Sequence, residues 1–138
     1  MERQIATTRE QSDRLLKCGV PADTADMTLS YCKGGFYELM ATPFHYGCFN
    51  EEDAPAWSLS ALLSLLPFKI HSARYEYWLD VAPMDYGKQW SIGYYCTEKP
   101  RVIKGLAHTD SLIECAVLMV EWLTANGYQL NGIEKGGS

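Results

Sequence analysis

Two neighbouring runs of alternating residues constrain the fold more than any other feature of the sequence. Residues 74–82 and residues 90–97 place apolar side chains at every second position, which is the period of a strand with one buried face. The intervening residues 83–89 are rich in turn formers. The pattern therefore predicts an antiparallel hairpin near residues 74–97.

A leucine stripe predicts a helix just before this hairpin. The stripe consists of Leu59, Leu62, Leu63 and Leu66. These positions are spaced i, i+3, i+4 and i+7, so they lie on one face of a helix. Ser58 can cap its beginning, and Pro67 ends it.

Helix signals also occur on both sides of this central region. A capping box that begins at Thr8 predicts a helix over residues 9–18, and a short helix is predicted over residues 22–27. Capping-box spacing at Ser111 precedes an apolar stripe that ends before Gly127. Thr109 and Asp110 are alternative caps for this last helix.

The elements together predict an α+β fold with helices on one face of a small antiparallel sheet. The sheet contains the hairpin and one or two further strands, and three to four helices pack with it. Candidate further strands lie at residues 29–32, 36–42 and 102–103. The 138 residues are predicted to form a single domain with loose ends at about residues 1–7 and 132–138.

Composition argues against several classes of function. The formal net charge of -5 and the 12 scattered Lys and Arg residues disfavour nucleic-acid binding. The longest apolar stretches are too short or too interrupted to cross a bilayer, so no membrane partner is expected. Five cysteines, an odd number without a repeated C-x-x-C, favour reduced thiols in the cytoplasm.

A zinc site is the best metal candidate, although its spacing is poor. Cys32, His45 and Cys48 supply sulfur and imidazole, and His71 or His108 could complete the set. Zinc modules usually present two close ligand pairs, and only His45 and Cys48 are close here. Buried thiols and a hydrogen-bonded histidine explain the same residues more simply, so we expect neither a metal nor a cofactor.

A nucleophilic site would need a thiol beside a base. His108 lies just before Asp110, and Cys48, Cys96 and Cys115 are the candidate thiols. None of them stands in a recognisable motif, and Cys115 falls within an apolar helix. A small buried side chain is therefore the preferred interpretation of Cys115, and no catalytic residue is assigned.

The surplus of aromatic residues around the hairpin is the most suggestive functional feature. If one face of the sheet takes Tyr77 and Tyr94 into the core, Trp78 and Tyr95 lie on the opposite face. Exposed aromatics on one sheet face mark a binding surface. The open alternative is that helices cover both faces.

An acidic cluster offers a second candidate binding site. Glu51, Glu52 and Asp53 could attract a divalent cation or a basic partner, although they lack the pattern of a calcium loop. A solvated loop is the simpler explanation.

Three stretches resemble small uncharacterised proteins encoded in prophages and mobile elements of gut Bacteroides-type bacteria. They are TREQS at residues 8–12 continuing through GVPADTADM at 19–27, PAWSLSALLSLLP at 55–67, and residues 110–128, which end in EWLTANGY. The resemblance spans most of the chain and carries no catalytic residue or cofactor. It implies an intracellular accessory protein of a phage or mobile element.

The leading hypothesis is therefore a non-enzymatic protein that binds another protein through the aromatic sheet face or the acidic cluster. The alternative is a small enzyme or ligand-binding domain whose pocket is formed by residues 36–49, with a histidine and a cysteine within reach.

Overall fold

A computed structural model describes residues 4–44, 51–98 and 103–133 of the chain. It contains helices and two antiparallel sheets, so the predicted α+β class is confirmed. The helices are α1 (Arg9–Lys17), α2 (Leu59–Leu65) and α3 (Leu112–Ala125). The strands are β1 (Met27–Cys32), β2 (Phe36–Met40), β3 (Ala54–Ala56), β4 (Lys69–Ser72), β5 (Tyr75–Met84), β6 (Gln89–Tyr95) and β7 (Ile103–Thr109).

Side-chain caps fix the beginning of each helix where the sequence predicts them. The hydroxyl of Thr8 accepts a hydrogen bond from the backbone N–H of Gln11, and the Gln11 side chain completes the capping box of α1. Ser58 caps α2 and Ser111 caps α3 in the same way. Ser111, rather than Thr109 or Asp110, is thus the N-cap of the last helix.

The larger sheet has the strand order β4-β5-β6-β7, and its centre is the predicted hairpin. Helix α3 packs against β6 and β7 on one face of this sheet, and α2 packs against α3. The core lies between the sheet and the helices. Its fully buried side chains include Leu62, Ile92, Tyr94, Met119 and Leu123.

The smaller sheet has the order β2-β1-β3 and joins the rest of the molecule through α1. Helix α1 contacts both β3 and α3, and the guanidinium of Arg9 lies 5.8 Å from the ring centroid of Tyr37 on β2. The hairpin of β1 and β2 turns at Gly34 and Gly35, which both have positive φ angles. This hairpin confirms the two candidate strands in the region.

Several predicted elements have different bounds in the structure. The short helix expected over residues 22–27 is a 3₁₀ turn, Ala22–Thr24, because Ala25 is extended and Met27 already belongs to β1. Strand β7 is longer than the pair of residues predicted. Ala6 and Thr7 are buried by pairing with the chain around Trp57, so order begins before the expected Thr8.

An ion cluster ties α1 to α3. Arg14 donates to both carboxylate oxygens of Glu114, at 2.9 and 3.0 Å, and also to Glu121. These hydrogen bonds raise the pKa of Arg14 above its ordinary value. Partial burial alone would raise the pKa of Glu114, but the hydrogen bonds from Arg14 and Gln11 outweigh it and lower that pKa. Arg14 is therefore part of the packing between two helices.

This cluster makes stability depend on pH. Because the pKa of Glu114 is lower in the folded chain, the unfolded chain binds more protons at acid pH. The stabilisation is therefore complete above the ordinary value of 4.5 and is lost as the pH falls through the lowered value. We expect Arg14→Gln to reduce the free energy of unfolding by about 1–3 kcal/mol at pH 7 and to flatten this acid dependence.

Urea unfolding at a series of pH values measures both effects. Arg9→Gln is the control, because the exposed pair of Arg9 with Asp13 and its contact with the Tyr37 ring are both weak, and it should change stability by no more than about 1 kcal/mol. Equal losses in the two variants would contradict a special role for the Arg14 cluster.

Candidate functional site

One face of the larger sheet is open. In the part of the chain that the structure describes, no helix packs on the side of the sheet opposite α3. Trp78 is 40% exposed, Ile103 49% and Leu106 58%. We call this surface the open face. Its side chains are Trp78, Asp80, Ala82 and Met84 from β5, Ser91, Gly93 and Tyr95 from β6, and Ile103, Leu106 and His108 from β7.

The two predicted aromatic residues lie side by side on this face. Trp78 and Tyr95 are cross-strand partners in β5 and β6, and Ile103 continues the same row in β7. The Phe68 ring lies 6.1 Å from that of Trp78, and the Lys69 ammonium lies 5.4 Å from the Trp78 ring. On the core side, Tyr77 and Tyr94 are buried as expected, and the Tyr94 hydroxyl donates to the Pro67 carbonyl at 2.7 Å. The alternation of the hairpin therefore placed both faces correctly.

A groove follows β6 beside this aromatic row. Its floor consists of small residues, Ala82, Ser91 and Gly93, and its walls are the longer side chains of β5 and β7. The groove encloses a volume of about 200 Å³. Since a water molecule occupies about 30 Å³ in the liquid, this space accommodates one large side chain or a small organic molecule.

Two titratable groups stand on the walls of the groove. Asp80 lies on β5, directly opposite Gly93, and His108 lies on β7, opposite Ser91. Asp80 forms no ion pair with any side chain in the described ranges. The groove thus combines apolar walls with a carboxylate that is available to a ligand.

The three residues of the acidic cluster differ in burial. Asp53 is only 7% exposed, and its Oδ1 accepts the backbone N–H of Tyr31 at 2.8 Å. Asp53 therefore holds β1 in place, whereas Glu51 and Glu52 are exposed. A partner approaching this loop would meet those two carboxylates first.

The residues of the zinc hypothesis are only partly described. His45 and Cys48 lie outside the described ranges. His71 is on β4 and pairs with Glu76 of β5, whereas His108 is on β7 and lies in register, through Ser91, with Ala82 of β5. Three strand spacings across the sheet and six residues along it therefore put their backbones roughly 25 Å apart. Among the described residues, no three His, Cys, Asp or Glu side chains form a group that could hold a metal ion.

Cys115 and His108 do not form a dyad, because they lie on opposite sides of the sheet. The Cys115 thiol is buried against the core side, where it donates to the Trp90 carbonyl at 3.1 Å. Burial raises the pKa of this thiol. The interpretation of Cys115 as a small buried side chain agrees with this environment.

Sequence reasoning predicted only the start of the third strand of the open face. Ile103, Leu106 and His108 belong to β7, of which only the first residues were predicted to be extended. A register shift between β6 and β7, at Ile92 and Tyr94, breaks the regular alternation around Gly105. The Val102-Ile103 pair was the only signal, and Gly105 obscured its continuation.

Comparisons of the chain with family models, with curated proteins and with solved structures found no match. The resemblance to prophage and mobile-element proteins therefore stays a prediction. In the described part of the chain, no helix is both long enough and apolar enough to cross a membrane.

Proposed function

We propose that this chain is a non-enzymatic binding protein and that another protein docks on its open face. The observation that carries the proposal is the exposure of Trp78, Met84, Ile103 and Leu106 on one side of a single sheet. Large contiguous apolar patches are uncommon on the surfaces of monomers and are typical of interaction sites. Trp and Tyr are also the residues most often found at the energetic centres of interfaces.

The arrangement of the side chains on the open face also favours binding of a partner. Trp78, Tyr95 and Ile103 form one row across three paired strands, so the backbone hydrogen bonds of the sheet fix the relative positions of their Cα atoms. A partner that binds them orders few side chains, which limits the entropic cost of association. We place this binding in the cytoplasmic setting of a phage or mobile element that the resemblance implies.

The alternative, a pocket formed by residues 36–49, stays a prediction because residues 45–50 lie outside the described ranges. Two exposed residues of that segment, Phe36 and Met40, belong to β2 of the smaller sheet. They provide a matched control surface.

A capture experiment tests the proposed function. The tagged chain is incubated with lysate of its native host, and retained proteins are quantified by mass spectrometry. We expect the double variant Trp78→Ala, Tyr95→Ala to lower recovery of a specific partner at least about tenfold, since two central aromatic contacts are lost.

The control is the double variant Phe36→Ala, Met40→Ala, which removes comparable apolar surface from the smaller sheet and should retain the partner. Circular dichroism checks that both variants fold. Equal recovery by the chain and by the Trp78, Tyr95 variant would refute docking on the open face.

A further inference from the structure

We infer that the partner inserts an arginine side chain into the groove, with the guanidinium on Asp80 and the aliphatic stem over Gly93. This inference rests on the proposed function and specifies the chemistry of the partner. Three features of the described residues support it: a glycine that its φ angle does not require, the shape of the groove and an acidic group without a cation.

Gly93 is not required by its own φ angle, which is outside the positive range that favours glycine. It pairs with Asp80 of β5, and the ladder to β7 shifts register beside it. A Cβ atom at this position would meet the Leu106 Cδ1 at 3.3 Å and the Ile103 Cγ2 at 3.4 Å, which are the ends of adaptable side chains. Glycine weakens a strand interior and often marks a place where another group approaches closely. Here its absent side chain creates the floor of the groove.

The walls of the groove suit a long side chain that is apolar along its length. Met84 and Leu106 stand on opposite sides of the floor, and Tyr95 lines the groove next to Ile103. An arginine stem has three methylene groups that favour apolar contact, and its planar guanidinium stacks on aromatic rings. A purely aliphatic side chain would fill the same space but would leave Asp80 without a partner.

The charge of Asp80 favours a cationic group as the occupant of the groove. Asp80 is the acidic residue on the groove, whereas Glu76 at the β4 side is already 3.6 Å from the Lys69 ammonium. His108 stands two strands away from Asp80, on the opposite wall. A guanidinium donates two parallel hydrogen bonds to a carboxylate, which a lysine ammonium cannot do. The chain's net charge of -5 attracts a basic segment as well.

The test uses blocked tripeptides as defined probes. Acetyl-Leu-Arg-Leu-amide is titrated into the ¹⁵N-labelled full chain, and amide shifts are followed by NMR. We expect saturable shifts centred on Gly93, Ser91 and Leu106 with a Kd on the order of 1 mM. The matched peptide with Gln in place of Arg should bind at least about tenfold more weakly, because it lacks the charge-assisted pair.

Two variants locate the contacts. Asp80→Asn keeps the shape of the side chain and removes its charge, and it should weaken the Arg peptide about tenfold without affecting the Gln peptide. Gly93→Ala raises the floor while favouring the strand, so it should weaken both peptides and leave thermal stability equal or higher. Gly93→Leu should abolish binding of both.

The outcomes separate this inference from the proposed function. Equal affinity for the two peptides, an Asp80→Asn variant that binds like the parent chain, or no shifts up to about 10 mM peptide would overturn the arginine inference. Host-protein capture that still depends on Trp78 and Tyr95 would then leave the proposed function standing. Sedimentation measures self-association, and a dimer that Gly93→Leu dissociates would overturn the inference, because a second copy would then be the occupant.

Discussion

Replacing Trp57 by alanine should lower the free energy of unfolding by about 3–5 kcal/mol, the usual cost of deleting a large buried aromatic side chain. Trp57 is completely buried, and its indole N–H donates to the Thr24 hydroxyl at 2.9 Å. Since domains of this size are stable by only about 5–15 kcal/mol, the variant loses a large share of its stability. Urea unfolding followed by circular dichroism measures the change.

The Trp57→Phe variant keeps part of the packing and removes the hydrogen bond. Phenylalanine retains one buried aromatic ring but lacks the second ring with its N–H donor, so a small cavity adds to the lost hydrogen bond. The Thr24 hydroxyl still donates to the Pro21 carbonyl at 2.7 Å, so it keeps a partner. We expect a loss of about 1–2 kcal/mol. A Trp57→Ala variant that loses less than about 1 kcal/mol would contradict the structural role assigned to this residue.

Replacing Gly105 by alanine should lower the free energy of unfolding by about 2–4 kcal/mol. Gly105 has a φ angle of +63°, and a Cβ atom there would lie 2.6 Å from the Trp122 ring of α3. That ring stacks on Tyr128, with 5.5 Å between the ring centroids, so its displacement disturbs a second aromatic contact. The substitution therefore combines backbone strain with a collision in the packing of α3 against β7.

A second glycine distinguishes these two contributions. Gly127 has a similar φ angle of +80°, but nothing lies within 4 Å of a Cβ atom there. Gly127→Ala should cost only about 1–2 kcal/mol, the strain alone. Thermal unfolding compares the two variants, and Trp122→Leu should partly rescue Gly105→Ala by removing the ring. Equal losses at both glycines, or no rescue, would contradict the collision.

Local patterns predicted much of the fold because several elements carry their own signals. The caps at Thr8, Ser58 and Ser111 and the alternation of the hairpin depend on neighbouring residues, and each led to the correct element. The predicted placement of Trp78 and Tyr95 on one face followed from the same alternation. These features need no knowledge of distant contacts.

The missed elements depend on distant partners. Strand β3 contains Pro55, which argues against a strand, and its residues become extended because they pair with β1. Strand β4 is four residues long and is defined by its pairing with β5. The groove was also beyond local reasoning, since its walls come from strands on both sides of Gly93.

The link between Arg14 and α3 has a consequence for the order of folding. The hydrogen bond from Arg14 to Glu121 joins residues separated by 107 positions, and α3 follows all seven strands of the described ranges. During synthesis, α1 and the apolar side of the larger sheet must therefore wait for α3 before they are covered. Contacts of such long range slow folding and prolong the exposure of apolar surface. We expect this apolar surface to stay exposed on the nascent chain until α3 has been synthesised.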